Sequence, residues 1–186
     1  MDIDIDFANR DQILSTLDHT VAVLKNNKKH NTGVYVTEIP KDPVTNYCTI
    51  DYKKAEQRGY FKLDFLNVSL YKDVKDEAHL IKLMETEPLW DLLEHKIFID
   101  KLFHLSGHSD IVIQLKPRNI EQLAAVLAII RPAKRYLQKD NWDFILDNVW
   151  IVPNDGSYYF KKAHAISYAV AVIVHMNLLC AEFTPS

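Results

Sequence analysis

The sequence is poor in glycine and nearly lacks cysteine, with four of one and two of the other in 186 residues. So few glycines, and no low-complexity tract, exclude a linker-like or repetitive chain and point to an ordered one. Cys48 and Cys180 stand far apart with no metal-ligand spacing between them, which excludes a thiolate metal site and a disulfide scaffold and predicts two reduced thiols. Positive charge is not in excess. The net charge is −3, so any contact with nucleic acid must come from local basic clusters. The N-terminus is acidic rather than basic-then-apolar, so no signal peptide is expected. The most apolar late stretch, residues 163–179, contains His164, Ser167, His175 and Asn177 and reads as a buried helix rather than a membrane span. What is present is ordinary for a packed domain: 48% hydrophobic, 25% charged and 11% aromatic residues.

Two regions differ in pattern. Residues 2–7 alternate acid and apolar residues with period two, the signature of a strand with Asp2, Asp4 and Asp6 on one face and Ile3, Ile5 and Phe7 on the other. Asn9 is placed to cap a helix that continues through Ile13, Leu14, Leu17, Val21 and Leu24 and ends in the basic run of residues 25–30. Residues 33–37, 46–51 and 60–68 read as further strands, with a polar turn over 53–59. From Asp76 onward only helices are expected, broken near Pro88, Gly107, Pro117, Pro132 and residues 153–156. The expected class is α+β: a small mixed sheet over 1–72, followed by an all-helical region over 73–186.

In residues 60–66, Lys62 and Asp64 share a face. If this strand pairs with residues 2–7, Asp64 meets Asp2 and Asp4 across the sheet. Carboxylates ~4 Å apart repel by about 4 kcal/mol per pair at an effective dielectric near 20. A divalent cation relieves that repulsion, and hard carboxylate oxygens suit Mg²⁺ or Mn²⁺. Two such ions are a common arrangement for phosphoryl transfer. The competing reading is a solvated acidic edge that discourages strand-to-strand association.

Several segments go further than spacing. Asp2-Ile3-Asp4-Ile5-Asp6-Phe7 and Arg10-Asp11-Gln12-Ile13 resemble the aspartate motif of the bacterial DNA polymerase III alpha subunit, the C family of replicative polymerases. Lys29-His30-Asn31-Thr32-Gly33-Val34 resembles its Lys-His-x-x-Gly-Val segment. Val44-Thr45-Asn46-Tyr47 and Gly59-Tyr60-Phe61-Lys62-Leu63-Asp64-Phe65-Leu66 resemble the segment that carries the third aspartate. Leu115-Lys116-Pro117, Glu121 and Ala128-Ile129-Ile130-Arg131-Pro132 follow in the family's order. So do residues 158–169, which match Tyr-x-Phe-x-Lys-Ser/Ala-His-x-x-x-Tyr, and Ala181-Glu182-Phe183.

The resemblance implies a palm of nucleotidyltransferase type and a shortened, fingers-like helical region. It implies a DNA polymerase that adds dNTPs to a primer 3′-hydroxyl, with two Mg²⁺ or Mn²⁺ ions held by Asp2, Asp4 and Asp64, and with Lys62 near the primer end and phosphates. Tyr158, Phe160, Lys162 and His164 match the segment that closes on the incoming nucleotide. Lys29, His30, Arg131, Lys134 and Arg135 are the remaining candidates for phosphate or template. Basic residues have physical grounds for this role: Lys162 stands at an expected helix start, which favours anions, and aromatic residues can stack on bases. By default each basic run is a solvated face.

The expected partners are primer-template DNA, a dNTP, and a second copy or partner chain supplying elements that the resemblance lacks; a membrane is not among them. Those elements are an upstream Gly-Ser phosphate cradle and the family's paired fingers arginines. Asn67 and Ala133 replace family glycines, and His104 replaces a family glutamine. The alternatives are therefore a non-catalytic polymerase-derived DNA- or replisome-binding protein, or one half of a split polymerase. The expected location is the cytoplasm, a host cytoplasm if the compactness is viral.

Overall fold

The computed structural model describes residues 3–154 and 159–182. Asp2 and Tyr158 lie outside the described residues. The chain divides into two compact units, Met1–Asp73 and Val74–Ser186.

The first unit is built on a mixed five-stranded sheet. Its strands are β1 (Ile3–Phe7), β2 (Thr20–Val23), β3 (Lys29–Tyr35), β4 (Tyr47–Asp51) and β5 (Leu63–Asn67), in the order β1-β5-β3-β2-β4. β1 runs parallel to β5 and β2 parallel to β4; β3 is antiparallel to both β5 and β2. The alternation in β1 decides how this sheet is covered. Ile5 and Phe7 point to the same side as Leu63 and Phe65, and this side packs with Val34 against Leu14 of the short helix α1 (Arg10–Leu14). The Phe7 and Phe65 rings lie 4.9 Å apart. On the opposite side, helix α2 (Tyr52–Gln57) buries Ala55 against Ala22, Val23, Tyr35, Ile39 and Cys48. The acid positions of β1 share that side of the sheet but lie at its other end.

Asn9 does cap α1, its Oδ1 accepting from the Gln12 N–H at 3.3 Å. The helix expected to reach Leu24 nevertheless stops at Leu14. The Ser15 and Thr16 hydroxyls donate back to the Gln12 and Ile13 carbonyls, a local competition that weakens helix continuation. The β-branched Thr20, Val21 and Val23 then form β2, all four residues of which are buried. A strand flanked on both edges and covered on both faces shows no alternation, so its apolar run can be mistaken for part of a helix. The basic run expected to end that helix is instead a hairpin turn, with Leu24 N–H donating to the Lys28 carbonyl at 2.8 Å and Asn27 at φ 58°. β3 thus begins at Lys29 rather than Gly33. The polar turn expected over 53–59 contains α2, capped by Asp51, whose Oδ1 accepts from the Lys54 N–H.

The second unit is helical: α3 (Glu77–Glu85), α4 (Lys96–Ile99), α5 (Ser109–Leu115), α6 (Ile120–Ile129), α7 (Trp142–Asn148) and α8 (Lys162–Glu182), with 3₁₀ segments at Trp90–Glu94 and Pro132–Lys139. Every residue of α6 from Leu123 to Ile129 is buried. A helix that is apolar all round belongs at a centre, and α6 packs there against Ala165, Ala169, Val172 and Met176 of α8. Asn177 of α8 donates to the Leu83 and Thr86 carbonyls, both at 2.8 Å, and so closes the C-terminus of α3. The Lys162–Ala181 stretch is long and apolar enough to cross a membrane, and half of it is buried within the fold.

Candidate active site on the open face of the sheet

Asp64 stands at the centre of the candidate site. Its strand lies between β1 and β3, and its register partners are Asp4 on the parallel side and Gly33 on the antiparallel side. Paired residues in adjacent strands project to the same face, so Asp4 and Asp64 stand side by side. Asp4 is exposed, whereas Asp64 is only 7% exposed.

Burial of a carboxylate requires partners, and Asp64 has them. Oδ1 accepts a hydrogen bond from the Thr32 hydroxyl at 2.6 Å, and Oδ2 forms an ion pair with the Lys62 ammonium. Both side chains of that pair are 11% exposed. His30 approaches Oδ1 at 3.8 Å, too far for a hydrogen bond. Its Nδ1 accepts from the backbone N–H groups of Gly33 at 2.9 Å and Thr32 at 3.3 Å. The His30 ring proton therefore belongs on Nε2 in the neutral form.

Gly33 makes this arrangement possible. A Cβ at that position would lie 2.7 Å from Lys62 Cδ and 3.0 Å from His30 Nδ1. Without it, the lysine stem crosses β3 and its ammonium reaches Asp64. The ammonium also sits 5.9 Å above the Tyr52 ring, and His30 meets Tyr52 edge-on at 5.2 Å. Tyr52 is the first residue of α2, so the helix that covers one end of the sheet also walls the site.

Burial, and secondarily the Asp4 charge, raise the Asp6 pKa above its usual value. Burial, and then Asp6, raise that of the Tyr71 phenol. Among the described residues no group of three or more histidine, cysteine or carboxylate side chains is gathered for a metal ion. The two carboxylates that are described suit a hard divalent cation as donors. Asp4 and Asp64 would be the residues to hold such an ion, with the Lys62 ammonium already paired to Asp64.

The other candidates are dispersed. Lys29 is exposed at the start of β3. Lys134, read as part of a solvated basic run, is instead 3% exposed. Its ammonium donates to the Asn148 and Ile151 carbonyls at 3.0 and 2.7 Å, which satisfies the end of α7, and burial lowers its pKa. The Arg131 guanidinium lies 5.3 Å from the Phe160 ring centroid, and His164 stacks on the same ring at 6.5 Å. Lys162 donates to Glu121 at 3.3 Å and lies 5.9 Å above Trp150. The exposed Arg135 donates to the Ile130 carbonyl at 2.6 Å.

Thr32, Gly33 and Tyr52 were not singled out as site residues by sequence reading. Only the first two carried a signal, by falling within the Lys29–Val34 segment of the resemblance; nothing local marks Tyr52. No family model matches the chain, and a search of curated proteins returns no relative.

Proposed function

We propose that the chain is a metal-dependent nucleotidyltransferase resembling a minimal C-family DNA polymerase, with a palm of nucleotidyltransferase type in the sheet unit and a fingers-like helical unit. Its reaction is the attack of a primer 3′-hydroxyl on the α-phosphate of a dNTP, releasing pyrophosphate. The observation that supports this best is the register of β1 and β5, which sets Asp4 beside Asp64 with a lysine at the same carboxylate. The pair sets an exposed acid of the edge strand beside a buried one held by a hydroxyl and an ammonium.

Asp4 and Asp64, with Asp2 of the same sequence motif, would hold Mg²⁺ or Mn²⁺, which when bound activates the attacking hydroxyl and neutralises the transferring phosphate. The protein's own groups have separate tasks. Thr32 fixes the rotamer of Asp64 through its hydroxyl. Lys62 supplies a positive charge on a stem held in place over Gly33, within reach of phosphate oxygens. Tyr52 and His30 exclude water from one flank of that ammonium. Primer-template DNA and dNTP are the substrates.

The test is primer extension with Mg²⁺ or Mn²⁺ and quantified pyrophosphate release, comparing the native chain with Asp64→Asn and Asp4→Asn. The expected loss is about a hundredfold or more for each variant. Equal activity in all three proteins would overturn the assignment.

One observation favours a second reading. Asp64 is already satisfied by Thr32 and Lys62, so the acid pair can persist without an ion. A polymerase-derived binding protein without chemistry would then retain DNA or replisome binding in both variants and release no pyrophosphate.

A further inference from the structure

Resting on the reading of Asp4 and Asp64 as the residues that hold a divalent cation, we propose that Lys62 competes with that cation for one oxygen of Asp64. Loading of the site and release of the lysine ammonium are then one event.

The first observation is that the protein itself engages both oxygens of Asp64. The Thr32 hydroxyl donates to Oδ1 at 2.6 Å, and His30 Nδ1 approaches the same oxygen at 3.8 Å. The Lys62 ammonium holds Oδ2. Each carboxylate oxygen has a second lone pair, so Oδ2 can still accept a hard cation. An ammonium and a divalent ion on one oxygen repel each other, and both side chains of the Lys62–Asp64 pair are only 11% exposed, where water screens poorly. The lysine therefore leaves Oδ2 as the ion enters. Thr32 is a neutral partner that no such repulsion expels, and it keeps the carboxylate oriented through the exchange.

The second observation is that the lysine is anchored by its stem and has two supports for its tip. A Cβ on Gly33 would lie 2.7 Å from Lys62 Cδ, so the stem rests directly against the backbone of β3. Only Cε and the ammonium extend beyond that anchored carbon. The ammonium lies 5.9 Å from the Tyr52 ring centroid, a range at which an aromatic face attracts a cation. Rotation about the last side-chain bonds takes the tip from the strong support, the carboxylate, toward the weak one, the ring. The anchored stem keeps the released ammonium at the site, where a phosphate oxygen is a charge-assisted partner. Lys62 thus neutralises one acid of the pair until a divalent ion takes over, and offers its charge to phosphate only in the loaded site.

The experiment is Mn²⁺ binding by the full chain, without DNA or nucleotide, read from the EPR signal of free Mn²⁺. Removal of an adjacent like charge in Lys62→Met is expected to tighten Mn²⁺ binding by about tenfold or more. The gain is expected to vanish in Lys62→Met/Asp64→Asn. Affinity no higher than native in Lys62→Met, or a gain that survives Asp64→Asn, overturns the proposal. Lys62→Met leaves a buried carboxylate short of a partner, at a cost in stability, so the native chain provides a second measurement. Mg²⁺ is expected to shift the side-chain NMR signal of Lys62 Cε in the native chain and not in Asp64→Asn. A Lys62 signal unmoved at Mg²⁺ concentrations that displace bound Mn²⁺ also overturns the proposal. Tighter Mn²⁺ binding in Lys62→Met with no primer extension by the native chain removes the catalytic reading and leaves the competition standing. Primer extension by the native chain with no gain in Lys62→Met does the reverse.

Discussion

Each unit of this molecule buries a lysine, and the two solutions differ. In the sheet unit, Lys62 is buried against a carboxylate, over a glycine that makes room for its stem. In the helical unit, Lys134 is buried against the carbonyls of Asn148, the last residue of α7, and of Ile151 just beyond it. The second lysine completes a helix terminus, and its partners are backbone atoms that any fold of this kind leaves exposed. The first has no such structural debt. It meets an acid that is itself paired with another acid across the sheet, and both could have been apolar without loss to the fold. The lysine set against a carboxylate that faces a second acid belongs to the proposed site; the one that satisfies backbone belongs to the architecture.

The units also differ in how their cores are made. The helical unit has one continuous core around α6, whereas the sheet unit divides its apolar residues between two faces and leaves the acid end of one face open. The contrast makes the largest predicted effect a helical one. Leu127→Ala, at a fully buried position of α6, should cost about 3 kcal/mol, within the range for cavity-forming substitutions, as measured by urea denaturation. A loss under about 1 kcal/mol would mean that the core can collapse around the gap.

Gly33→Ala tests the sheet unit. The added methyl meets Lys62 Cδ at 2.7 Å and Ala22 Cβ at 3.1 Å, so overpacking of about 1–3 kcal/mol is expected. The same variant should separate the Lys62 ammonium from Asp64, visible as a changed Lys62 side-chain NMR signal. An unchanged signal would show that the glycine does not position the lysine.

Lys134→Met tests the architectural lysine. Two carbonyls lose a charged donor, and a loss of about 1–2 kcal/mol is expected, while primer extension, the activity proposed above, should not change in the folded protein. Lost activity at native stability would erase the distinction between the two lysines.

The smallest effect is one of pH. Glu94 accepts from Lys116 at 2.8 Å and pairs with Arg118, and these bonds and charges hold its pKa below the usual 4.5. A folded-state pKa below the unfolded one stabilises the fold fully above about pH 4.5, and that stabilisation disappears as pH falls through the folded-state value. Carboxyl NMR titration should place Glu94 below 4.5 in the native chain and return it toward 4.5 in Lys116→Met. Added salt should weaken the shift, because the pair is solvent-accessible.

Local chemistry determined much of what the sequence made legible. The period-two pattern of residues 3–7, the capping Asn9, the breaks at proline and glycine, and a long buried helix beginning near Lys162 are all written in neighbouring residues. Each follows from backbone preference and side-chain alternation over a few positions. Tertiary structure alone decided the end of α1 and the identity of β2, because a doubly covered strand has no alternation to read. It alone set Asp4 against Asp64 and Gly33 beneath Lys62, and turned Lys134 inward. Those arrangements depend on which distant segments share a sheet edge or a helix face. That choice belongs to the packing of the whole chain, since no short stretch of it contains the partner that will satisfy its charge.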